Sequence, residues 1–581
     1  MISTSRGRPA ASRTALAVLG AGALACTGVL AASPAQAADA SHTLTVHADQ
    51  PFRSVTHVAS GSLYGLADAT DPTNALASAI KPSEFVLKPS GGTQQGTGDI
   101  LVTAAKSKAL GAKVVDRLSD YYPGWPYQFS WSTWDDVVRN ELAKVNTKTV
   151  PNLAAYAPWN EADNTWNSAN GSFEDFWTHT YNLIRSIDKT TPIQGPSFSD
   201  NISDMENFLT HAKATNTVPD ILAWHELESD TKIQGDIEKV QAIESKLGIS
   251  PRPIDIEEYA SPSEVGIPGD LVGYIAKFER YGIRNAELAF WNQSGTLGDL
   301  LTSRGGSPNG AYWLYTWYAQ QSGNVVTTTP YSSSSIDGEA SLSSDGKELS
   351  VIFGGGSSGS SAVQINGISS TLAPGGKVHV KLEQTVNTGR TSASSGPSTV
   401  SEGDYSVSGG SLNIPVSTNN LNAYRVVLTP AGSSSDGSTI NAGTYTIKNV
   451  NSGLVLGVQN MSTSWGASVI QWSDSGTSDH LWKVVAAGNG QYKIQNVNSG
   501  LVLGVQNAST SAGAAIVQWG DSGTSDHLWT FVSAGNGQYK IRNVNSGLVL
   551  GITNASTSTG ATALQWNDSG TSDHLWTLTS H

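Results

Sequence analysis

Between residues 60 and 320 two apolar patterns take turns along the chain. Short continuous runs read as buried strands: SLYGLA (62–67), EFVLKP (84–89), AKVVDRL (112–118), NLAAYAPW (152–159), PIQGP (192–196), ILAWHEL (221–227), PIDIEEY (253–259) and AELAFWN (286–292). Between them lie segments with apolar residues at helical spacing, from TGDILVTAAKSKAL to NGAYWLYTWYAQ. Ser132-Thr-Trp-Asp135 and Ser172-Phe-Glu-Asp175 each place an acid three residues after a serine, which predicts capped helix starts. Eight strands in βα alternation over roughly 260 residues match the size and pattern of a (β/α)8 TIM barrel, here residues 60–323. A doubly wound open sheet is the rival, but no glycine-rich phosphate loop follows the first strand.

After Gly323 the helical spacing stops. Residues 324–431 carry alternating strands such as KVHVKLEQTV and NAYRVVLTPA between Gly and Ser turns, the pattern of a β-sandwich. Residues 38–59, with SHTLTVHADQPF, are expected to add a strand to that sandwich, and GSSSDGST (432–439) reads as a linker. From 440 to 581 the chain repeats every 47 residues: YTIKNVNSGLVLGVQN begins at Tyr445, YKIQNVNSGLVLGVQN at Tyr492 and YKIRNVNSGLVLGITN at Tyr539. Each copy ends in a QW pair and then SDHLW. Copies this short cannot bury separate cores, so three should close around a pseudo-threefold axis.

This segment closely resembles the ricin-type β-trefoil, the carbohydrate-binding module of family 13. The resemblance implies sugar stacking on Trp472, Trp519 and Trp566, with hydroxyl contacts from Asp479, Asp526 and Asp573. Trp482, Trp529 and Trp576 are expected in the core. Two departures stand out. H-L-W replaces the usual Q-x-W, through His480, His527 and His574, and the family's sugar-binding Asp is replaced by Gly457, Gly504 or Gly551. A trefoil that no longer binds sugar is the alternative.

Composition narrows the partners. A formal charge of −14 leaves no basic surplus for nucleic acid or an anionic membrane. The 17 Trp and 18 Tyr, with only 14% charged residues, suit a saccharide, whose C–H faces stack on aromatic rings. Arg6, Arg8 and Arg13, an apolar run and SPAQA-ADA form a secretory signal expected to be cut after Ala37, giving a secreted protein with no membrane attachment. Cys26, the single cysteine, lies within that signal, so the mature chain would contain neither disulfide nor reactive thiol.

Barrel chemistry gathers at the C-terminal strand ends, and Glu161, in APWNEADNTW, ends the fourth strand. Glycoside hydrolysis generally takes a second carboxylate, and the seventh strand ends in Glu257 and Glu258. Strand alternation admits either one. Glu226 and Glu228 at the sixth strand's exit are rivals whose simpler reading is solvated loop charge. No second His or Cys stands at metal-ligand spacing from His225, so neither metal nor cofactor is expected.

Asn-Glu on strand four and Glu-Tyr on strand seven, with Arg117, His225, Trp291 and a fused sandwich, resemble the retaining barrel glycosidases, most of all family 39. That resemblance implies Glu161 as acid/base, Glu258 as nucleophile and Asn160 on the substrate 2-hydroxyl, with Arg117, His225 or Tyr259 donating to the nucleophile. Glu161 should then have a raised pKa, through the rings of Trp159 and Trp166 and repulsion from the nucleophile. Trp125 in YYPGWPYQFSWSTW and Trp166 are candidate sugar-binding aromatics. The function implied is a secreted retaining hydrolase of a plant-type polysaccharide containing xylose, arabinose or galactose. Alternatives are a catalytically dead lectin-like protein and a transglycosylase.

Overall fold

A computed structural model describes residues 42–199, 202–431, 440, 442–488, 491–535 and 537–581. The expected signal (1–37) and the linker (432–439) lie outside the described residues. After β1 (Thr43–Ser54) come eight parallel strands: β2 (Gly61–Leu63), β3 (Glu84–Leu87), β4 (Lys113–Arg117), β5 (Leu153–Ala157), β6 (Gln194–Phe198), β7 (Ile221–Glu226), β8 (Ile254–Tyr259) and β9 (Asn285–Leu288). Their order is β5-β4-β3-β2-β9-β8-β7-β6. A bridge between Tyr156 and Ile193 joins β5 to β6, with the Tyr156 N–H donating to the Pro192 carbonyl at 2.9 Å, and closes the barrel. Each predicted run supplies one strand. All strand residues but Lys113 are buried, as parallel strands covered on both faces require.

Helices fill the crossovers: α1 (Asn74–Ala79), α2 (Ile100–Ala109), α3 (Trp131–Lys144), α4 (Ala162–Thr165), α5 (Phe173–Ile187), α6 (Met205–Ala214), α7 (Ile233–Leu247), α8 (Pro268–Tyr281) and α9 (Gly310–Gln320). Ser172 caps α5 as its spacing predicts, accepting from the Asp175 N–H at 3.1 Å. The other predicted cap is displaced. α3 starts at Trp131 after Ser130, and Ser132 lies inside its first turn.

The next strands are β10 (Asn324–Pro330), β11 (Asp337–Leu342), β12 (Leu349–Gly354), β13 (Gly359–Asn366), β14 (Lys377–Thr385), β15 (Ser398–Ser406), β16 (Leu412–Thr418) and β17 (Ala423–Pro430). With β1 they form one nine-stranded sheet in the order β15-β14-β17-β12-β11-β10-β1-β13-β16. Its two halves share a single core, in which Leu44 and Val46 of β1 meet Val351, Val380 and Ile414. β1 lies between β10, antiparallel, and β13, parallel. On the barrel side, Lys277 and Arg280 of α8 hold the buried Asp337 at 3.0 and 2.6 Å.

Twelve strands between Gly443 and Ser580 make the trefoil, and its last strand (Trp576–Ser580) pairs with its first (Gly443–Asn449). The core is assembled in triplicate from Ile447, Ile494 and Ile541, from Leu456, Leu503 and Leu550, and from the fully buried Trp482, Trp529 and Trp576. Each of these indoles donates to the Leu carbonyl of its own repeat at 2.9–3.0 Å.

Candidate active site

A cavity of about 570 Å³ opens at the C-terminal ends of the barrel strands. Arg117 ends β4, Asn160 and Glu161 follow β5, and Glu258 stands near the end of β8; all four line it. Glu161 has φ 49° and ψ 59°, left-handed values that a side chain carrying Cβ rarely adopts. Tyr64, Ser197 and Ala260 share this conformation at other strand ends, with φ of 42°, 58° and 73°. Strain of about 1–3 kcal/mol per residue collects around the mouth. At Glu161 the turn is held by its N–H donating to the Ser197 carbonyl at 2.7 Å.

The carboxylates sit in a compact charge network. Arg117 Nη1 donates to Glu258 Oε1 at 2.7 Å, and Nη2 lies 3.6 Å from Glu257 Oε2. His225 Nδ1 hydrogen-bonds Glu161 Oε1 at 2.9 Å, while its Nε2 lies 3.8 and 3.9 Å from Glu257 and Glu258. One oxygen each of Glu161 and Glu258 and a nitrogen of His225 all lie within 4.8 Å of one another. That cluster has the donor types of a metal site. The guanidinium on Glu258 already supplies the positive charge a cation would bring.

Burial alone would lower the His225 pKa, but the charge of Glu258 and hydrogen bonds to Glu161 and Glu257 raise it to about 10. The resting site therefore contains an imidazolium. Burial pushes Glu161 upward, yet the hydrogen bond and charge of His225, with Asn164 and Arg117, outweigh it and hold the carboxyl below its ordinary value. This overturns the expectation of a raised Glu161, which rested on neighbouring rings and repulsion from the nucleophile and left out the protonated histidine. Asp120 moves the other way. Burial, then the charges of Glu258 and Glu257, carry it well above the usual carboxylate range despite a hydrogen bond from Tyr127.

The two adjacent glutamates on β8 both reach the barrel interior, because the strand register slips around them against β7 and β9. Glu258 lines the cavity. Glu257 is fully buried beneath it, hydrogen-bonded by Gln194 and held below its ordinary pKa, against its burial, chiefly by His225 and Arg117.

Trp125 and Trp291 line the cavity and are 55% and 41% exposed, so both present ring surface to it. Two expected contacts lie elsewhere. Tyr259 is fully buried on the helix side of β8; its hydroxyl donates to the Ala59 carbonyl at 2.7 Å and its ring packs on Tyr274 and Phe278, out of reach of Glu258's role. Trp166 turns back into an aromatic cluster, 5.1 Å from Trp159 and 4.8 Å from Phe176, and bonds the Gly171 carbonyl. Glu226 is buried, accepting from the Trp224 indole at 2.8 Å, and Glu228 is exposed beside Lys232. Asp120, Tyr127, Gln94, Gln95 and Asn164 line the cavity without having been singled out from sequence. Asp120 stands only three residues beyond Arg117 at the same strand exit, a position that could have marked it.

In the trefoil, Trp472, Trp519 and Trp566 are 45%, 41% and 44% exposed. Asp479, Asp526 and Asp573 are instead buried, each with a carboxylate oxygen 3.3–3.5 Å from the neighbouring His Nε2. The glycine departures follow from those histidines: a Cβ at Gly457, Gly504 or Gly551 would lie 2.4 Å from the ring Cδ2 of His480, His527 or His574. An Asp at that position would crowd the His in the other, so one of the two has to shift.

Comparison with known proteins adds ancestry. The family model described as ricin-type beta-trefoil lectin domain-like matches residues 429–519 and 525–581. A 3-O-beta-L-arabinopyranosyl-alpha-L-arabinofuranosidase from Bifidobacterium pseudocatenulatum is 28% identical over 453 residues, 64% of this chain and 46% of that protein. A 3-O-alpha-D-galactosyl-alpha-L-arabinofuranosidase from Bifidobacterium longum subsp. longum is 26% identical over 454 residues, 64% of this chain and 39% of that protein. The chain thus spans less than half the length of these curated relatives. The solved structure of N2152 from Neocallimastix frontalis is 35% identical with a TM-score of 0.64, covering 67% of this chain and 100% of that one. The protein therefore belongs to one family with N2152 and carries a ricin-type β-trefoil at its C-terminus.

Proposed function

We propose that the protein is a retaining glycoside hydrolase acting on arabinose-containing glycans. The observation that carries this reading is the pair Glu161 and Glu258 at the mouth of the cavity, with an oxygen of each within 4.8 Å of the other. Such closeness suits direct attack by one carboxylate, which needs carboxyl groups roughly 5–5.5 Å apart; a water between them would need about 6.5–9.5 Å. Glu258, charge-paired with Arg117, is the nucleophile that bonds to the anomeric carbon as the glycosidic C–O bond breaks. Glu161 delivers the proton to the leaving oxygen, then takes one from the water that releases the sugar. Asn160, whose Oδ1 is buried without a protein partner, is placed to meet a substrate hydroxyl. The arabinofuranosidase relatives support the substrate class. Export directed by residues 1–37 belongs to the same reading.

The test is a product screen with arabinofuranosides, galactosides and xylosides, as nitrophenyl glycosides and as plant polysaccharides, on the parent and on Glu161→Ala and Glu258→Gln. Release of arabinose or an arabinose-ended disaccharide is expected, falling at least about 100-fold in either variant on polysaccharide. Azide should rescue Glu161→Ala and give a glycosyl azide of retained configuration. Turnover within a few-fold of the parent in either variant would remove the assignment.

A further inference from the structure

The three trefoil repeats are near copies, so the places where they differ carry information. The first repeat has Met461 and Trp465 where the second has Ala508 and Ala512 and the third Ala555 and Thr559. Both replacements fall in one turn and enlarge apolar side chains that remain exposed, Met461 at 50% and Trp465 at 64%. A third difference answers them across the repeat boundary. The residue after the QW pair is Ser473 in the first repeat and Asn567 in the third, but Gly520 in the second. A Cβ on Gly520 would lie 2.4 Å from the Trp465 ring, so the indole occupies space that only glycine leaves open.

The result is a reciprocal clasp. Trp465 covers Gly520, the neighbour of Trp519, while Trp519 covers Gly466, the neighbour of Trp465. The two ring centroids are 5.6 Å apart with the planes tilted by 49°. Trp566 and Trp472 make the matching contact with Gly513 and Gly560, where the places equivalent to Trp465 hold Ala512 and Thr559 instead of a second indole. A core-filling role would bury Trp465, and it does not.

Building on the reading of this protein as carbohydrate-active, we infer that Trp465 and Trp519 form a two-indole platform that binds consecutive sugar units of an uncharged glycan chain and makes the second repeat the dominant attachment site. Charge selects the occupant. Residues 459–469 contain no Asp, Glu, Lys or Arg, and Asp521 beside the platform is neutralised by Lys493 at 2.6 Å. Indole faces in such a rim match sugar C–H surfaces. One ring stacks on one sugar unit, so the adjoining ring adds affinity only when the glycan continues.

Affinity electrophoresis of the full chain tests this in gels containing arabinogalactan or arabinoxylan, with Glu258→Gln in every sample to prevent digestion. Trp465→Thr and Gly520→Ser install residues that another repeat carries at the same place. Each is expected to weaken retardation about tenfold, while Trp472→Ala with Trp566→Ala costs less than about threefold. Calorimetry with oligosaccharides should show the Trp465→Thr loss for two or more units and not for a monosaccharide. Near-ultraviolet circular dichroism confirms that each variant is folded. Parent-like retardation of folded Trp465→Thr, or a larger loss in the Trp472/Trp566 variant, overturns the proposal. So does a parent that no polysaccharide retards; hydrolysis of small glycosides by the chain with Glu258 intact would then leave the catalytic reading standing.

Discussion

Substituting His225 by glutamine isolates the proton on which the proposed acid step draws. The imidazole is fully enclosed, and its surroundings raise its pKa from 6.5 to about 10. That rise corresponds to roughly 5 kcal/mol, distributed over Glu258, Glu161 and Glu257 after burial has been overcome. In the resting site the Glu161–His225 pair therefore keeps one proton through the neutral range, on the imidazole and 2.9 Å from Oε1. A leaving oxygen that gains charge draws it through Glu161. In His225→Gln the new amide could still donate a hydrogen bond but could not store a proton, so the pair would lose it at the carboxyl's own pKa. The assay is kcat/KM against pH with two arabinosides, one with an alkyl and one with a nitrophenyl leaving group. The basic limb should move acidward by at least about one pH unit, and neutral-pH activity should drop about 10- to 100-fold on the alkyl glycoside, with a smaller loss on the nitrophenyl glycoside, whose departure needs little protonation. Stability should follow the same proton: a raised histidine stabilises fully below pH 6.5 and progressively less as pH rises toward 10, so the parent's Tm should fall more steeply over that window than the variant's. An unchanged basic limb on both substrates would refute the reasoning.

Two further outcomes follow from particular contacts. Azide should restore turnover to Glu258→Gly but not to Glu257→Gly, because Glu257 lies beneath the cavity; the latter should instead lose about 3–5 kcal/mol of stability by leaving buried Arg117 and His225 under-compensated, measured by denaturant titration. Equal rescue of both would contradict the assignment. Gly504→Asp should cost about 1–3 kcal/mol through overpacking against His527 and lower the Tm, and adding His527→Gln should recover at least half of the loss. A single variant that melts with the parent would show that the ring moves aside freely.

Runs such as ILAWHEL and NLAAYAPW disclosed the barrel because parallel strands covered on both faces must be apolar almost throughout. The trefoil was equally plain, since its period is written out three times. What stayed hidden depended on distances across the chain. With Glu258 in the cavity, alternation turns Tyr259 toward α8, but Glu257 joins Glu258 inside the barrel only through a register slip that periodicity does not reveal. Trp166 sits close to Glu161 in sequence but finds Phe176 and Trp159 before it can reach the cavity. The depressed pKa of Glu161 arises from a histidine two barrel strands away. The buried trefoil aspartates and their glycine partners likewise make sense only once His480, His527 and His574 have coordinates.

β1 has a consequence for how the protein is made. It leaves the ribosome before any barrel strand, but its two neighbours in the sheet are β10 and β13, and the latter begins only at Gly359. At typical synthesis rates of about 5–20 residues per second, a strand that will bury Leu44 and Val46 waits roughly 15–60 s without its permanent partners. The sheet that holds β1 therefore cannot be completed until β13 has been made, and the first strand has to be kept from other edges until then. Gene truncation has to respect the same order. A chain ended at 431 keeps every partner of β1, whereas one ended at 323 strands it.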